Sequence, residues 1–269
     1  MNRKVSESEI KFIEGGVGTN VRSDGRGRLD FRPIEIETGI IPQANGSARV
    51  RLGLAPGETT DVLVGVKAEI GEPDPATPSK GSLKFTVQVS SPSSPSSSTD
   101  DAIEAEDTGM EVARALSSLV GNSGLDLGQL CIAGSKQCWD LHVDAIVLER
   151  RGGGNVFDAA GMATRAALSA TRIPRVDLVE GDVPGVMELE VSDDPELCRS
   201  FDCSSVPVCV TLTRIGSQFV VDASEQEERC SGARLVVGVS PKGTVCGLQK
   251  SGRSGLPPSS LPDMIHTAQ

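Results

Sequence analysis

The stretch from Trp139 to Arg175 leaves this chain few ways to fold. Trp139–Leu148 alternates apolar and polar residues and then turns continuously apolar, which predicts a strand entering a core. Gly152-Gly153-Gly154 stops it. Val156, Phe157, Ala160, Ala163, Ala167 and Leu168 then recur at helical spacing. Asn155 stands where an N-cap is expected, and Asp158 falls in the first turn, where negative charge is favoured. The apolar face is mostly alanine, so the helix can approach a sheet closely. Ile173-Pro174 marks its end, because the residue before a proline avoids the helical region. A glycine loop feeding a helix N-terminus is either a plain strand-to-helix turn or an anion site, where outward N–H groups and the helix dipole attract negative charge. The loop has neither the Lys-Ser/Thr of a P-loop nor the spacing of a dinucleotide fingerprint.

The flanking chain supplies strands on both sides. Ser6-Glu7-Ser8-Glu9 predicts a capping box, followed by an amphipathic helix through Ile10, Phe12, Ile13 and Val17. Arg22–Arg28 is a basic turn around Asp24-Gly25. Phe31–Glu37, Ala48–Leu52, Thr60–Ile70 and Leu83–Val89 read as a four-stranded antiparallel run, with Asn45-Gly46 as a hairpin signal. The Ser/Thr tract at 90–99 is broken by Pro92 and Pro95 and cannot build a core. Asp101–Val120 predicts a helix with Ile103, Ala105, Met110, Val112, Ala113, Leu116 and Leu119 as its core stripe. Arg175–Val179 and Val186–Val191 are short strands. Val206–Ile215 with Gln218–Asp222, and Ala233–Ser240 with Thr244–Lys250, predict two hairpins around a capped turn at Ser224–Glu228. This order suits an α+β architecture in two packed parts, with a boundary near 192–205.

Charge and cysteine content narrow the function classes. Net charge is −11, with +2 over residues 1–51 and −9 over residues 180–229, so no whole-protein basic field exists to bind nucleic acid. Aromatic residues make up 3%, which argues against base stacking as the main mode of nucleic-acid binding. The seven cysteines are odd in number and several lie in strand patterns, as expected of reduced thiols. Cys198, Cys203 and Cys209 have no nearby histidine and do not match zinc-ligand spacing; no metal or cofactor is expected. No apolar run reaches the roughly 18 residues of a membrane span, and no membrane partner is expected.

The order of motifs resembles a known family. Ser23-Asp24-Gly25-Arg26, Gly46–Val50 and Val62–Lys67 resemble the opening of the RNase PH-like fold. Cys138-Trp139, Val143-Asp144, Gly154–Ala159, Arg172-Ile173-Pro174, Val206-Pro207, Val220–Ala223 and Glu227-Glu228 resemble its branch of non-catalytic RNA exosome ring subunits. The resemblance implies an N-terminal helix and basic turn (1–30), a first domain with a ribosomal-protein-like βαβ unit (31–200) and a smaller second domain (201–269). It also implies a six-membered ring with other RNase PH-like subunits, RNA-binding cap subunits and threaded RNA. Nuclear, nucleolar and cytoplasmic residence goes with it.

In active relatives a Thr-Arg pair follows the glycine loop and an Asp precedes the Val-Pro of the second part. Here Asn155-Val156 and Ser205 stand at those positions, which implies lost phosphorolysis, since valine and serine supply neither a guanidinium clamp nor an acid. The archaeal branch carries RNA-facing arginines on and after the helix that begins here at Asp101; Ser117-Ser118-Leu119-Val120 stand at its end instead. Arg114, Lys136, Arg150 and Arg151 remain as candidates for RNA contact, each against a solvated surface charge. An active nuclease would have to draw on Asp193-Asp194 or Asp222, and a small-molecule enzyme on His142 or His266.

Overall fold

The computed structural model describes residues 5–53, 55, 57–90, 99–132, 137–150, 152–180 and 187–269. Helix α1 (Glu7–Gly18) starts at Ser6, whose hydroxyl accepts from Glu9 N at 3.2 Å. Its buried residues are Ile13 and Val17; Phe12, expected on the same face, is 72% exposed. Strands β1 (Ile34–Thr38), β2 (Gly46–Leu52), β3 (Thr60–Gly71), β4 (Ser82–Val89) and β5 (Cys138–Glu149) form one sheet, ordered β1-β2-β3-β5-β4.

That order corrects the expected four-stranded antiparallel run. The antiparallel ladder covers β1, β2 and β3, and β5 then takes the place beside β3. Strand β4 lies on the far side of β5 and runs parallel to it. The intervening helix α2 (Thr99–Gly121) explains this, because a strand–helix–strand crossover returns the chain parallel to its start. The β1–β2 hairpin does form, but its loop is longer than Asn45-Gly46, since Gly46 is already in β2.

Helix α2 buries Ala105, Val112, Leu116 and Leu119, whereas Ile103 and Met110, expected in the same stripe, are exposed. A 3-10 turn at Leu127–Leu130 joins α2 to β5. Strand β5 keeps alternating to its end: Ala145 and Val147 are buried, Ile146 and Leu148 exposed.

Helix α3 (Val156–Ser169) is the centre of the molecule. It lies between the first sheet and a second one, made of β10 (Val208–Ile215), β11 (Gln218–Val221), β12 (Ala233–Val239) and β13 (Val245–Ser251) in the order β11-β10-β12-β13. Two-sided burial explains the composition. Ala159, Ala160, Ala163 and Ala167 are fully buried, and a Cβ on Gly161 would lie 3.0 Å from the Cys209 side chain of β10. Larger residues would push the sheets apart. A single apolar core therefore runs from Val50 and Val64 of the first sheet through Phe157 and Leu168 to Cys209 and Val236 of the second.

Helix α3 ends before Ile173-Pro174. Thr171 donates its hydroxyl to Ala167 O at 2.8 Å, and Arg172 N donates to Asn45 O at 2.8 Å, which draws the chain into β6 (Arg172–Ile173). Strand β6 pairs with β9 (Arg199–Ser200), and β7 (Val176–Glu180) pairs with β8 (Met187–Val191). Helix α4 (Glu225–Cys230) follows β11 with a full capping box between Ser224 and Glu227. Helix α5 (Leu261–Ala268) packs Met264 and Ala268 against Leu212, Leu235 and Val237 of the second sheet. Helix α1 packs Ile13 and Val17 against Ile215, Val220 and Ala223. Residues 91–98 of the Ser/Thr tract and residues 181–186 lie outside the described residues.

Candidate anion site at the glycine loop

The loop between β5 and α3 lies directly against α4. Gly154 has φ +64, and a Cβ there would sit 2.7 Å from Ala223 O, so only glycine lets the loop close on this segment. The consequence is an anion site occupied by the chain itself. Gly152 N donates to Glu225 Oε2 at 2.6 Å, and Asn155 N donates to Glu228 Oε1 at 2.9 Å. Of the two readings left open by sequence, turn or anion site, the loop combines both: its amides hold carboxylates supplied by α4.

Asn155 does not cap α3 through its side chain. Its backbone is left-handed, with φ 52, and the side chain is buried and turned toward two acids. Nδ2 donates to Asp158 Oδ2 and to Asp222 Oδ1, both at 2.9 Å, while Oδ1 has no partner among the described residues. An amide placed between two carboxylates must offer both protons, which fixes its orientation. Asp158 Oδ1 accepts from Thr211 Oγ1 at 2.6 Å.

Asp222 is the hub of the cluster. Its Oδ1 accepts from Arg32 Nη2 at 2.7 Å, and its Oδ2 accepts from Arg32 Nε at 2.9 Å, Arg32 N at 2.8 Å and Arg26 Nη1 at 2.8 Å. Arg22 donates to Val221 O and Asp222 O at 3.0 and 2.8 Å, and meets Glu227 through two parallel bonds of 2.8 and 2.6 Å. The basic turn thus keeps its Ser23–Gly25 tip in solvent while its arginines point inward. It folds back into the second half of the chain, with the Arg22 side chain 0% exposed.

Beyond Glu228 lies a small polar cavity of about 80 Å³, lined in part by Thr213, Ser231 and Arg234. Arg234 stacks 4.7 Å above the Phe157 ring, donates to Ser251 Oγ at 3.0 Å and lies 3.2 Å from Glu111 and 3.7 Å from Glu228.

The electrostatics follow from this packing. Burial alone would raise the Asp222 carboxyl, but the hydrogen bonds and charge of Arg32, with the Asn155 amide, hold it below its ordinary value. Burial pushes Asp158 up to about 7, against the hydrogen bonds from Thr211 and Asn155, with Asp222 adding to the rise. Burial also raises Glu228, against the pull of Arg234 and the Asn155 amide.

Asp158 carries a pH prediction. An unfolded aspartate titrates near 3.9, so between that value and about 7 the native state holds a proton that the unfolded chain releases. Stability is therefore expected to fall as pH rises through this window. Asp158→Asn should flatten the dependence, read as urea midpoints between about pH 5 and pH 8. An unchanged slope in the variant would assign it to other groups.

The positions that differ from the active relatives lie apart along α3. Asn155 and Val156 are buried at the start of α3. Ser205 is half-buried beside the helix's other end: the neighbouring Val206 O accepts from Arg165, which lies roughly 15 Å of helix rise beyond Asn155. Arg114 is exposed on α2, and Arg150 is half-buried next to the glycine loop. Lys136 and Arg151 lie outside the described residues.

Asp193 and Asp194 are exposed, and Asp194 caps a 3-10 turn at Pro195–Leu197. His142 lies on the outer face of the first sheet, 3.5 Å from Glu69, and His266 is exposed on α5. Neither histidine reaches the cluster. Among the described residues no group of three His, Cys, Asp or Glu side chains is arranged to hold a metal ion.

Sequence reasoning missed Arg22, Arg32, Glu225, Glu228 and Arg234. Glu225, Glu227 and Glu228 were visible as a capped acidic turn, but nothing local signalled that two of them fill the glycine loop.

Comparison with known proteins gives a consistent picture. Residues 30–174 match domain 1 of the 3′ exoribonuclease family, RNase PH, and residues 205–269 match domain 2. A Dictyostelium discoideum protein, provisionally named exosome complex exonuclease RRP42, is 39% identical over an alignment of 319 residues that covers 99% of this chain and 94% of that one. The exosome complex component Rrp42 of Methanopyrus kandleri is 35% identical, over 92% of this chain and 86% of its own. A solved structure of the Archaeoglobus fulgidus exosome with RNA bound to the active site contains a chain that superposes with a TM-score of 0.75 at 29% identity, covering 97% of this chain and 94% of that one.

Proposed function

The chain belongs to the 3′ exoribonuclease family, and on that premise we propose that it is a ring subunit of an RNA exosome that performs no chemistry itself. It supports 3′-5′ processing and degradation of ribosomal and messenger RNA by making interfaces with other RNase PH-like subunits and RNA-binding cap subunits, and by lining part of the RNA path. The reading rests on the glycine loop. Its Gly152 and Asn155 amides are held by Glu225 and Glu228, so an incoming phosphate would meet two carboxylates in place of free donors. No arginine stands at Asn155 or Val156 to clamp it.

The surface suits a ring neighbour. Strand β1 is a sheet edge, and its Ile34 and Ile36 are exposed beside an unpaired backbone ladder. The exposed acids Glu188, Glu190, Asp193, Asp194 and Glu196 favour a basic partner. Residence in nucleus, nucleolus and cytoplasm belongs to the same proposal.

The name of the Dictyostelium relative favours a second reading, an active phosphate-dependent 3′-5′ exoribonuclease. One assay separates the two. The purified chain with inorganic phosphate, magnesium and a short single-stranded RNA is expected to release no nucleoside diphosphates, and the tagged chain should co-purify with other ring subunits. Release that disappears in a folded Asp222→Asn variant would establish the nuclease instead.

A further inference from the structure

We propose that Cys131 and Cys138 are a thiol–disulfide switch, oxidised by hydroperoxides, that locks the 3-10 turn Leu127–Leu130 onto the start of β5. The two residues face each other in an isolated antiparallel bridge. On the next rung Ile132 N donates to Gln137 O at 3.2 Å. Facing residues of an antiparallel pair have Cα atoms about 4.5–5.5 Å apart, within the roughly 4.4–6.8 Å that a disulfide spans. The sulfurs lie 2.9 Å apart, closer than ordinary sulfur contact, and both residues are free thiols. Among the described residues this is the one Sγ–Sγ contact.

The pair also has the asymmetry that such chemistry needs. Cys131 is half-buried and open to a small oxidant, while Cys138 is 2% exposed beneath it. The Cys131 sulfur attacks the hydroperoxide; an S–O bond forms, the O–O bond breaks, and an alcohol (water, from hydrogen peroxide) leaves with the thiol proton. Cys131 is then a sulfenic acid. The Cys138 sulfur attacks the Cys131 sulfur; the S–S bond forms, the S–O bond breaks, and the hydroxyl leaves as water with the Cys138 proton. Burial pushes the Cys138 thiol up to about 11, with Cys131 adding to the shift, which keeps Cys138 from being the first thiol oxidised and makes its attack the slower of the two steps. The hydroperoxide gains the two electrons that the thiols lose.

What the bond would lock is a clip between distant segments. The 3-10 turn carries fully buried Leu130 and also Gln129. Gln129 accepts from Asp202 N at 2.8 Å through Oε1, donates to Asp202 O at 3.0 Å through Nε2, and takes Arg199 Nη2 on its carbonyl. A covalent Cys131–Cys138 link thus ties the segment 199–202, which leads into β10, to the start of β5 in the first sheet.

The test uses the full chain treated with hydrogen peroxide and equilibrated in dithiothreitol redox buffers. Peptide mapping should find the Cys131–Cys138 link. The fluorescence of Trp139, the sole tryptophan and the neighbour of Cys138, should fall on oxidation and recover on reduction. Amide exchange at residues 127–131 and 199–203 should slow by roughly tenfold in the oxidised form. Cys138→Ser should stop at the Cys131 sulfenic acid and Cys131→Ser should form no link, while Cys203→Ser should behave as the unmodified chain. Overoxidation of Cys131 without a link to Cys138, or a link that leaves exchange at 199–203 unchanged, would overturn the proposal.

Discussion

Asp222→Ala is expected to cost the fold about 3–5 kcal/mol, the usual result of stripping the partner from a buried charge. The Asp222 side chain is fully buried and neutralises Arg32, 8% exposed, and Arg26, 14% exposed. Without it, Arg32 keeps among the described residues a single side-chain bond, to Glu58 O at 2.8 Å, and the Asn155 amide loses one of its two acceptors. The backbone adds to the loss: Asp222 has φ 45, a left-handed conformation that costs alanine roughly 1–2 kcal/mol and that asparagine tolerates better. Asp222→Asn should therefore be milder, keeping the conformation and part of the hydrogen bonding. Urea denaturation of the two variants checks the order, with a drop in thermal midpoint of roughly 10 °C expected for the alanine form. A loss below about 1 kcal/mol in Asp222→Ala would mean that the arginines find solvent and that the cluster is not a structural hub.

A loss of similar size is expected for Arg22→Ala, about 3–5 kcal/mol. The guanidinium and the Glu227 carboxylate are 0% and 2% exposed and joined by two parallel bonds. Alanine leaves Glu227 buried with the Ser224 N–H, 2.8 Å away, as its remaining donor in the cluster, and it also abandons Val221 O and Asp222 O. The double change Arg22→Met with Glu227→Leu removes both charges together and should recover a large part of the loss, because the uncompensated ion, not the missing attraction, carries most of the penalty. Strict additivity of the single changes Arg22→Met and Glu227→Leu would refute that account. Both variants act far from the glycine loop in sequence yet bear on it, since Glu227 sits in the same short helix as Glu225 and Glu228.

The parts of this design that repeat locally could be read before the structure. Period-two and helical spacing revealed β5, α3 and the hairpins of the second sheet, because each carries its pattern within its own length. The position of β4 could not be read that way. Its alternation fits an antiparallel or a parallel neighbour equally well, and only the crossover through α2 decides.

The same limit applies to the polar cluster. Arg22, Arg26 and Arg32 meet Asp222 across some 190 to 200 residues, so the Arg22–Arg28 segment looked like any solvated Asp-Gly turn. Asn155 looked like a cap because asparagine usually is one at that place. Two buried acids, Asp158 and Asp222, compete for its amide, and they outweigh the local preference. Ile103, Met110 and Phe12 failed for a third reason: the apolar stripe of a helix is wider than the surface that its neighbours cover.

Because both sheets close on opposite sides of α3, the two family segments are not beads on a string. A polypeptide cut ahead of β10 would leave the small-residue side of that helix facing water, and a fragment beginning at β10 would lack the surface its inner side rests on. Shuffling either half into another protein would transplant half of an interior, and whatever assembly the molecule joins must receive it whole.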